Sequence, residues 1–265
     1  MALKMKLNLS KKPLIGMIHL PSFPSTMRNT TIKKKIFSQS IKDAQTLENA
    51  GFNAILIENY FNSPFPKSRL NDYDYLFMSS IVNEIISTIN IPCGINILRN
   101  CCLQALIMAT VNQASFIRCN IWEGAYVTDQ GIIEGFAEKV ISKRKELDSD
   151  VIVLADIHVK HATPLGMFSM EDAAKNALYR GKADAIVVSG KETGKIIEID
   201  KLKDFTINTG IKPILGSGVS LRNVSNVFSS ISGAIVGSSI KKADISTPID
   251  PEKAKSLVSK WKNLL

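Results

Sequence analysis

The chain has 265 residues, 45% of them hydrophobic and 22% charged, so it can bury a core without disulfide staples. Its N-terminal segment carries lysines without a sustained apolar run or a cleavage site, and we expect no signal peptide and no membrane-spanning segment. Four cysteines with no C-x-x-C spacing predict reduced thiols in a cytoplasmic protein and argue against a structural zinc site.

The net charge of +9 raises the question of a nucleic-acid partner. Most lysines, however, fall on predicted outer helices with no interleaved aromatic residues. We therefore interpret them as solvated helix faces and expect no nucleic-acid partner. The positive field would equally favour an anionic small molecule.

Short apolar runs alternate with longer helical patterns, which predicts βα units and a parallel sheet. The predicted strands are residues 14–18, 54–57, 93–97, 115–119, 151–155, 185–188, 212–215 and 234–236. The predicted helices are residues 32–50, 72–89, 100–112, 131–147, 170–180, 195–204, 220–230 and 251–263.

Eight such units close a (β/α)8 TIM barrel, which we predict as a single domain over residues 1–265 with an N-terminal extension at 1–12. The alternative is an open doubly wound α/β sheet. That fold normally has a glycine-rich loop after its first strand, where this chain has residues 19–24, His-Leu-Pro-Ser-Phe-Pro.

Ionisable side chains follow several predicted strands, at the end where barrel enzymes have their active sites. Because strand residues alternate inward and outward, Asp156 and His158 share a face with Ile152 and Leu154 and are predicted to stand above them in the barrel mouth. The other strand ends bring further polar residues to the same mouth. These are His19, Glu58, Asn59, Asn96, Arg118, Asn120 and Ser189.

Two chemistries fit this cluster. A histidine and a carboxylate can exchange protons near neutral pH, and all three histidines of the chain follow predicted strands. They are His19, His158 and His161. Alternatively, Glu58, Asp156 and His158 bind a divalent metal that polarises a carbonyl group or a water molecule. Lys160 either forms a Schiff base with a carbonyl substrate or is a solvated loop lysine.

Glycine-rich turns follow predicted strands seven and eight, the two positions where many barrels hold a phosphate group. Glycines let backbone N–H groups approach an anion closely. The turns contain Gly216, Ser217, Gly218, Gly237, Ser238 and Ser239. The alternative is that both are tight turns that require glycine for the backbone alone. Lys241, just beyond, is expected to be exposed to solvent.

Two loops are candidates for covering the site. Either Thr128 or Asp129 is predicted to cap the fourth helix, the same stretch is a candidate loop over the site, and Asp129 is also a candidate substrate-binding residue. Residues 59–69, with Pro64 and Pro66, form a longer loop that we predict as a lid.

The chain resembles the BtpA/SgcQ family nearly end to end. The most specific matches are Ile57-Glu58-Asn59, Phe116-Ile117-Arg118-Cys119-Asn120, Val127-Thr128-Asp129-Gln130-Gly131, residues 156–161 and Gly216-Ser217-Gly218-Val219. The resemblance implies a ribulose-phosphate-binding-like barrel. Cyanobacterial members are associated with photosystem I biogenesis, and others lie beside sugar-uptake genes or have been interpreted as nucleotide hydrolases. It implies no particular reaction.

Three functions remain open. The favoured one is a cytoplasmic enzyme that acts on a phosphorylated sugar or nucleotide by acid–base or metal-assisted chemistry. The second is a non-catalytic assembly or regulatory factor, which the resemblance suggests. The third, nucleic-acid binding, has only the net charge behind it. The only partner we expect is a phosphorylated small molecule, and pairing of subunits is left open.

Overall fold

The computed structural model describes residues 5–24, 30–159, 161–167, 169–190 and 197–265. The described residues form eleven strands, in chain order β1 (Leu14–His19), β2 (Ala54–Glu58), β3 (Cys93–Asn96), β4 (Phe116–Cys119), β5 (Ala125–Thr128), β6 (Gly131–Glu134), β7 (Ile152–Ile157), β8 (Ala162–Pro164), β9 (Ala185–Val188), β10 (Ile214–Leu215) and β11 (Gly233–Val236). They also form eight α-helices, α1 (Thr30–Ala50), α2 (Asp72–Thr88), α3 (Cys102–Asn112), α4 (Ala137–Glu146), α5 (Met170–Lys175), α6 (Ile199–Thr209), α7 (Val224–Val227) and α8 (Pro251–Lys262).

Eight of the strands close into a parallel barrel in the order β1-β11-β10-β9-β7-β4-β3-β2. The helices surround it, so the chain folds as a TIM barrel, as predicted. Alternation along each strand sends one set of side chains into the barrel interior, where Ile15, Leu56, Leu154 and Ile235 pack together. The other set packs between the barrel and the helices and forms the larger core.

The segment that precedes β1 packs against the barrel interior. Leu7 is buried in the same cluster as the inward-facing side chains, and its backbone N–H donates to Ser115 Oγ at 2.6 Å. Ser115 directly precedes β4, so this contact lies at the N-terminal end of the barrel. The opposite end of the barrel is thus the one available for a ligand, in agreement with the general rule for this fold.

A small antiparallel sheet, in the order β6-β5-β8, lies beside the mouth of the barrel. The prediction of a helix over 131–147 was wrong at its start, because Gly131–Glu134 is strand β6 and α4 begins only at Ala137. Thr128 and Gly131 are paired in a hairpin whose glycine has a φ of 85°. The Thr128 hydroxyl accepts from the Gln130 N–H and donates to the Gly131 carbonyl, so it stabilises a hairpin turn instead of a helix start.

Other helix boundaries also differ from the predictions. Helix α5 continues as a π-helix over Asn176–Arg180, and α6 runs five residues beyond the predicted end at 204. Helix α7 is a single turn, because the Asn223 side chain bonds the Ser220 N–H and the Gly218 carbonyl and so holds residues 218–223 as a loop. No helix among the described residues is long and apolar enough to cross a membrane.

Candidate active site

A cavity of about 320 Å³ opens at the C-terminal end of the barrel strands. It brings together twelve of the residues that the sequence analysis selected. They are His19, Glu58, Arg118, Asn120, Asp156, His161, Ser189, Gly216, Ser217, Gly218, Gly237 and Ser238. The loop between β2 and α2 adds aromatic walls through Tyr60, Phe61 and Phe65, so the predicted lid segment lines the cavity. Strand ends that are far apart in sequence therefore meet at one mouth.

An ion pair between β4 and β7 forms one side of the cavity. Arg118 donates from Nε to Asp156 Oδ1 at 2.9 Å and from Nη2 to Asp156 Oδ2 at 3.0 Å. Asn120 Nδ2 donates to the same Oδ2 at 2.9 Å, and Arg118 Nη2 also reaches Ser189 Oγ at 3.4 Å. Both charged side chains are buried. Three donors therefore fix the Asp156 carboxylate in place.

The electrostatics of this pair favour the charged state of Arg118. Burial lowers the pKa of Arg118, but the charge of Asp156 and its hydrogen bonds outweigh burial, and the pKa of Arg118 is raised overall. Because the donors of Arg118 and Asn120 occupy the Asp156 oxygens, we assign this carboxylate to orienting and neutralising Arg118 rather than to proton transfer.

The other side of the cavity is formed by β1, β2 and β11. His19 and Glu58 are paired in register on adjacent strands, and both line the cavity. Asn96, at the end of β3, donates from Nδ2 to Glu58 Oε2. The His19 ring packs edge-on against Tyr60 with ring centroids 5.0 Å apart. This side thus presents an imidazole and a carboxylate as neighbours, which is the arrangement that acid–base chemistry needs.

Each glycine that begins a predicted phosphate turn makes room for a neighbouring cavity residue. A Cβ on Gly216 would lie 2.2 Å from Val187 Cγ1 and 3.1 Å from Arg118 Nη2. A Cβ on Gly237 would lie 2.6 Å from His19 Cε1. These contacts explain a glycine at both positions whether or not a phosphate binds, more strictly at Gly216, where Val187 is packed in the barrel interior, than at Gly237, where the His19 ring can move. Gly218, with a φ of 83°, needs glycine for its backbone conformation.

The two turns are also tied to each other. Ser239 Oγ donates to the Val219 carbonyl at 2.8 Å, so the loop after β11 holds the loop after β10. Ser239 is therefore placed behind the turns and does not line the cavity, unlike Ser217 and Ser238. The remaining five predicted phosphate-binding residues face one space.

Four further predicted residues, in addition to His158, lie outside the cavity lining or outside the described part of the chain. Asn59 and Asn96 are buried beneath the mouth, where they bond Leu98 and Glu58. Asp129 is exposed at the hairpin turn. Lys160 lies outside the described residues.

His158 does not follow the alternation that the sequence predicted. Strand β7 ends at Ile157, and His158 has a φ of 49°, so Val159 takes the cavity-lining position in its place. His158 Nε2 is buried and has no hydrogen-bond partner among the described residues.

The predicted metal ligands Glu58, Asp156 and His158 do not all meet, because Glu58 and Asp156 line the cavity and His158 does not. In addition, the Asp156 carboxylate is engaged by Arg118 and Asn120. Among the described residues, no group of three or more His, Cys, Asp or Glu side chains is arranged to hold a metal ion. This particular ligand set does not fit a metal.

Sequence reasoning missed two buried cations. Arg99, in the loop after β3, is 7% exposed and lines the cavity. Lys241 is 2% exposed, against our expectation of a solvent-facing side chain, because its ammonium pairs with Asp43 of α1 at 3.3 Å. Asp43 also accepts from the Ile249 N–H, so this pair fixes the segment that follows β11. The sequence alone does not indicate that either side chain is buried, since a lysine or arginine after a strand is usually exposed.

Comparison with curated relatives shows similarity over nearly the whole chain. An uncharacterised protein of Pyrococcus furiosus is 39% identical over 98% of both chains, and one of Methanocaldococcus jannaschii is 40% identical over 94% of this chain and 95% of its own. The photosystem I biogenesis protein BtpA of Synechocystis is 36% identical over 93% of this chain and 86% of its own.

Solved structures with the same fold include thiamine phosphate pyrophosphorylase from Pyrococcus furiosus, with a TM-score of 0.58 and 13% identity over 97% of this chain and all of that one. Phosphoribosyl anthranilate isomerase from Thermus thermophilus gives a TM-score of 0.57 and 14% identity over 95% of this chain and all of that one. Such low identity establishes the TIM-barrel fold alone. The model of the BtpA family matches residues 10–263, and the chain belongs to that family.

Proposed function

We propose that the protein is an enzyme that acts on a phosphorylated sugar or nucleotide by acid–base chemistry at the mouth of the barrel. One observation carries the proposal: His19 and Glu58 line the same cavity as the glycine turns after β10 and β11. Either feature alone has a structural explanation. Their convergence on one concave space with buried charges is typical of an active site.

Each part of the cavity has a distinct task in this proposal. The backbone N–H groups of residues 216–218 and 237–238 bind the phosphate. His19 transfers a proton to or from the substrate, and Glu58, its neighbour in register, stabilises the imidazolium that forms. Arg118, held by Asp156, stabilises negative charge that develops on a substrate oxygen. His161, at the opposite rim, is the second proton carrier.

The names of two proteins that share the fold support the proposal that the substrate is phosphorylated. The pyrophosphorylase and the isomerase that share the fold are named for phosphorylated compounds. Their identity to this chain is too low to transfer a reaction, so the substrate class rests on the cavity itself.

The test is a thermal-shift screen of phosphosugars and nucleotides, each with and without Mg²⁺ or Mn²⁺, because Glu58 can still supply one ligand to a metal that the substrate brings. A ligand present at one hundred times its Kd should stabilise the fold by about 2.7 kcal/mol. A hit that is lost in Ser238→Glu, where a carboxylate repels the phosphate, supports the proposal. A broad panel in which no compound raises the Tm contradicts it.

A non-catalytic assembly role is the second candidate, and the name of the Synechocystis relative favours it. The exposed face of the small sheet offers a surface for such a role, since Val127 and Ile132 lie side by side and are 46% and 49% exposed. This role predicts that Val127→Lys abolishes function in the cell while His19→Gln leaves it intact. The enzymatic proposal predicts the reverse.

A further inference from the structure

We propose that the substrate carries an anionic group at each end, with its phosphate at the glycine turns and a second anion, a carboxylate or another phosphate, at Arg99. The first half rests on the proposed function. The second half is new, because Arg99 belongs to neither the predicted proton-transfer pair nor the phosphate turns. It narrows the substrate class to compact phosphorylated acids or bisphosphates.

The strand order places the two binding positions on opposite sides of the mouth. Around the closed barrel, β3 and β10 are separated by four steps in either direction. Arg99 follows β3, and Gly216 begins the turn after β10. Both line the same cavity. A molecule whose phosphate lies at Gly216–Gly218 therefore points its far end towards Arg99.

The other buried arginine of the cavity, Arg118, has a different task in this proposal. The Arg118 guanidinium donates two hydrogen bonds to the Asp156 carboxylate on β7, at 2.9 and 3.0 Å. This pair fixes the Arg118 guanidinium in place. Arg118 can polarise the middle of a substrate, but a terminal carboxylate would have to displace Asp156 to bind it bidentately.

Arg99 keeps its positive charge in this setting. Burial lowers the pKa of Arg99, and the charges of Asp156, Asp129 and Glu58 act in the opposite direction. Since an arginine side chain titrates far above neutral pH, the guanidinium remains a cation at the edge of the cavity. Guanidinium groups match carboxylate and phosphate geometry in two parallel hydrogen bonds.

The backbone around Arg99 is fixed before any ligand arrives. The Leu98 N–H donates to Asn59 Oδ1 at 2.7 Å, and the Arg99 N–H donates to the Pro66 carbonyl at 3.0 Å. Asn100 bonds both backbone groups of Ile121, at 2.8 and 2.9 Å. Asn59 and Asn100 are therefore positioning residues for Arg99. An arginine whose backbone is already ordered loses less conformational entropy when it binds a ligand.

The size and the walls of the cavity limit what lies between the two anions. A volume of about 320 Å³ is at the low end for small-molecule sites, which favours a sugar phosphate over a dinucleotide. Phe61, Phe65 and Val219 supply apolar surface that covers a short carbon skeleton.

Two matched ligand pairs test the proposal by isothermal titration calorimetry on the full chain. Glucose 6-phosphate is compared with 6-phosphogluconate, which has a carboxylate in place of the aldehyde. Fructose 6-phosphate is compared with fructose 1,6-bisphosphate. A hydrogen-bonded ion pair contributes roughly tenfold to a hundredfold in affinity, so the doubly anionic member of at least one pair should bind more tightly by that factor.

Variants test whether Arg99 causes the preference for the doubly anionic ligand. Arg99→Gln should remove the preference while retaining affinity for the singly anionic ligand, and Ser238→Glu should weaken both members of a pair. Arg180→Gln, the same change on an exposed arginine of the π-helix, is the matched control and should leave the preference intact. If Arg99→Gln lowers the Tm below the assay temperature, Arg99→Lys replaces it and should reduce the preference several-fold, because an ammonium does not bind bidentately.

The outcomes separate the two proposals. A preference that is absent in the wild type, or unchanged in the Arg99 variant, overturns this inference and leaves the proposed function standing as long as Ser238→Glu weakens binding. Failure of all four ligands to bind the wild type counts against the proposed function, and the inference falls with it.

Discussion

Two sides of the barrel mouth each bury a carboxylate at the end of a strand, and they use it differently. On β7, Asp156 is locked by Arg118 and Asn120. On β2, Glu58 accepts from the neutral amide of Asn96 and lies beside His19 in register. A carboxylate that is held by a guanidinium fixes charge and geometry, whereas one beside an imidazole is placed for proton transfer. Two carboxylates that each follow a barrel strand can therefore have different roles, depending on their neighbours.

The largest expected effect on stability follows from breaking the ion pair between Arg118 and Asp156. Arg118→Met leaves the buried Asp156 without its counter-ion and should lower the free energy of unfolding by about 3–5 kcal/mol, measured by urea denaturation. The double variant Arg118→Met with Asp156→Asn removes both charges and should recover part of that loss. A single variant that loses less than about 1 kcal/mol would show that the pair is not a structural lock.

The glycines on the two sides provide the next contrast. Gly216→Ala places a methyl group 2.2 Å from Val187 Cγ1, inside the packed barrel. Overpacking of this kind costs about 1–3 kcal/mol of unfolding free energy. Thermal and urea unfolding measure the loss, and stability equal to that of the wild type would mean that the barrel interior has room near Val187.

Gly237→Ala is the matched change on the proton-transfer side. Its methyl group would meet His19 Cε1 at 2.6 Å, at the end of a side chain that can rotate away. We expect a stability loss of less than about 1 kcal/mol, because the ring moves instead of the backbone. The imidazole resonances of His19 should shift in NMR spectra while those of His161 do not. Unmoved His19 resonances would contradict this packing.

The smallest effect on stability is expected for Glu58→Gln. Glutamine keeps an oxygen that accepts from Asn96, so the unfolding free energy should change by less than about 1 kcal/mol. Turnover of the substrate that the ligand screen identifies should fall roughly 100-fold to 10,000-fold, because the proton-transfer pair has lost its carboxylate. Full turnover in this variant would remove Glu58 from the mechanism.

The sequence was sufficient to predict the barrel and most of its mouth. Period-two alternation in an apolar run places Asp156 above Leu154, and the same rule places Arg118 and Glu58. These predictions succeed because a barrel strand has one buried inner face, which leaves no freedom of register.

Alternation stopped being informative where the strand ended. His158 has a left-handed backbone conformation that a sequence pattern does not reveal, and Val159 lines the cavity instead. The hairpin after β4 was missed because Thr128 and Asp129 resemble a helix cap, although Gly131 and the β-branched Val127 and Ile132 were available as hairpin signals. Arg99 was missed because its burial depends on Asn59 and Pro66, which are distant in sequence.

The central claim is that the turns after β10 and β11 form an anion site in the same space as His19 and Glu58. The most direct measurement is an amide NMR titration of the full chain with inorganic phosphate. We expect saturable shifts of the backbone amides of Gly216, Ser217, Gly218, Gly237 and Ser238, with His19 responding as well. Shifts confined to surface lysines, or none at these five amides, would contradict the account.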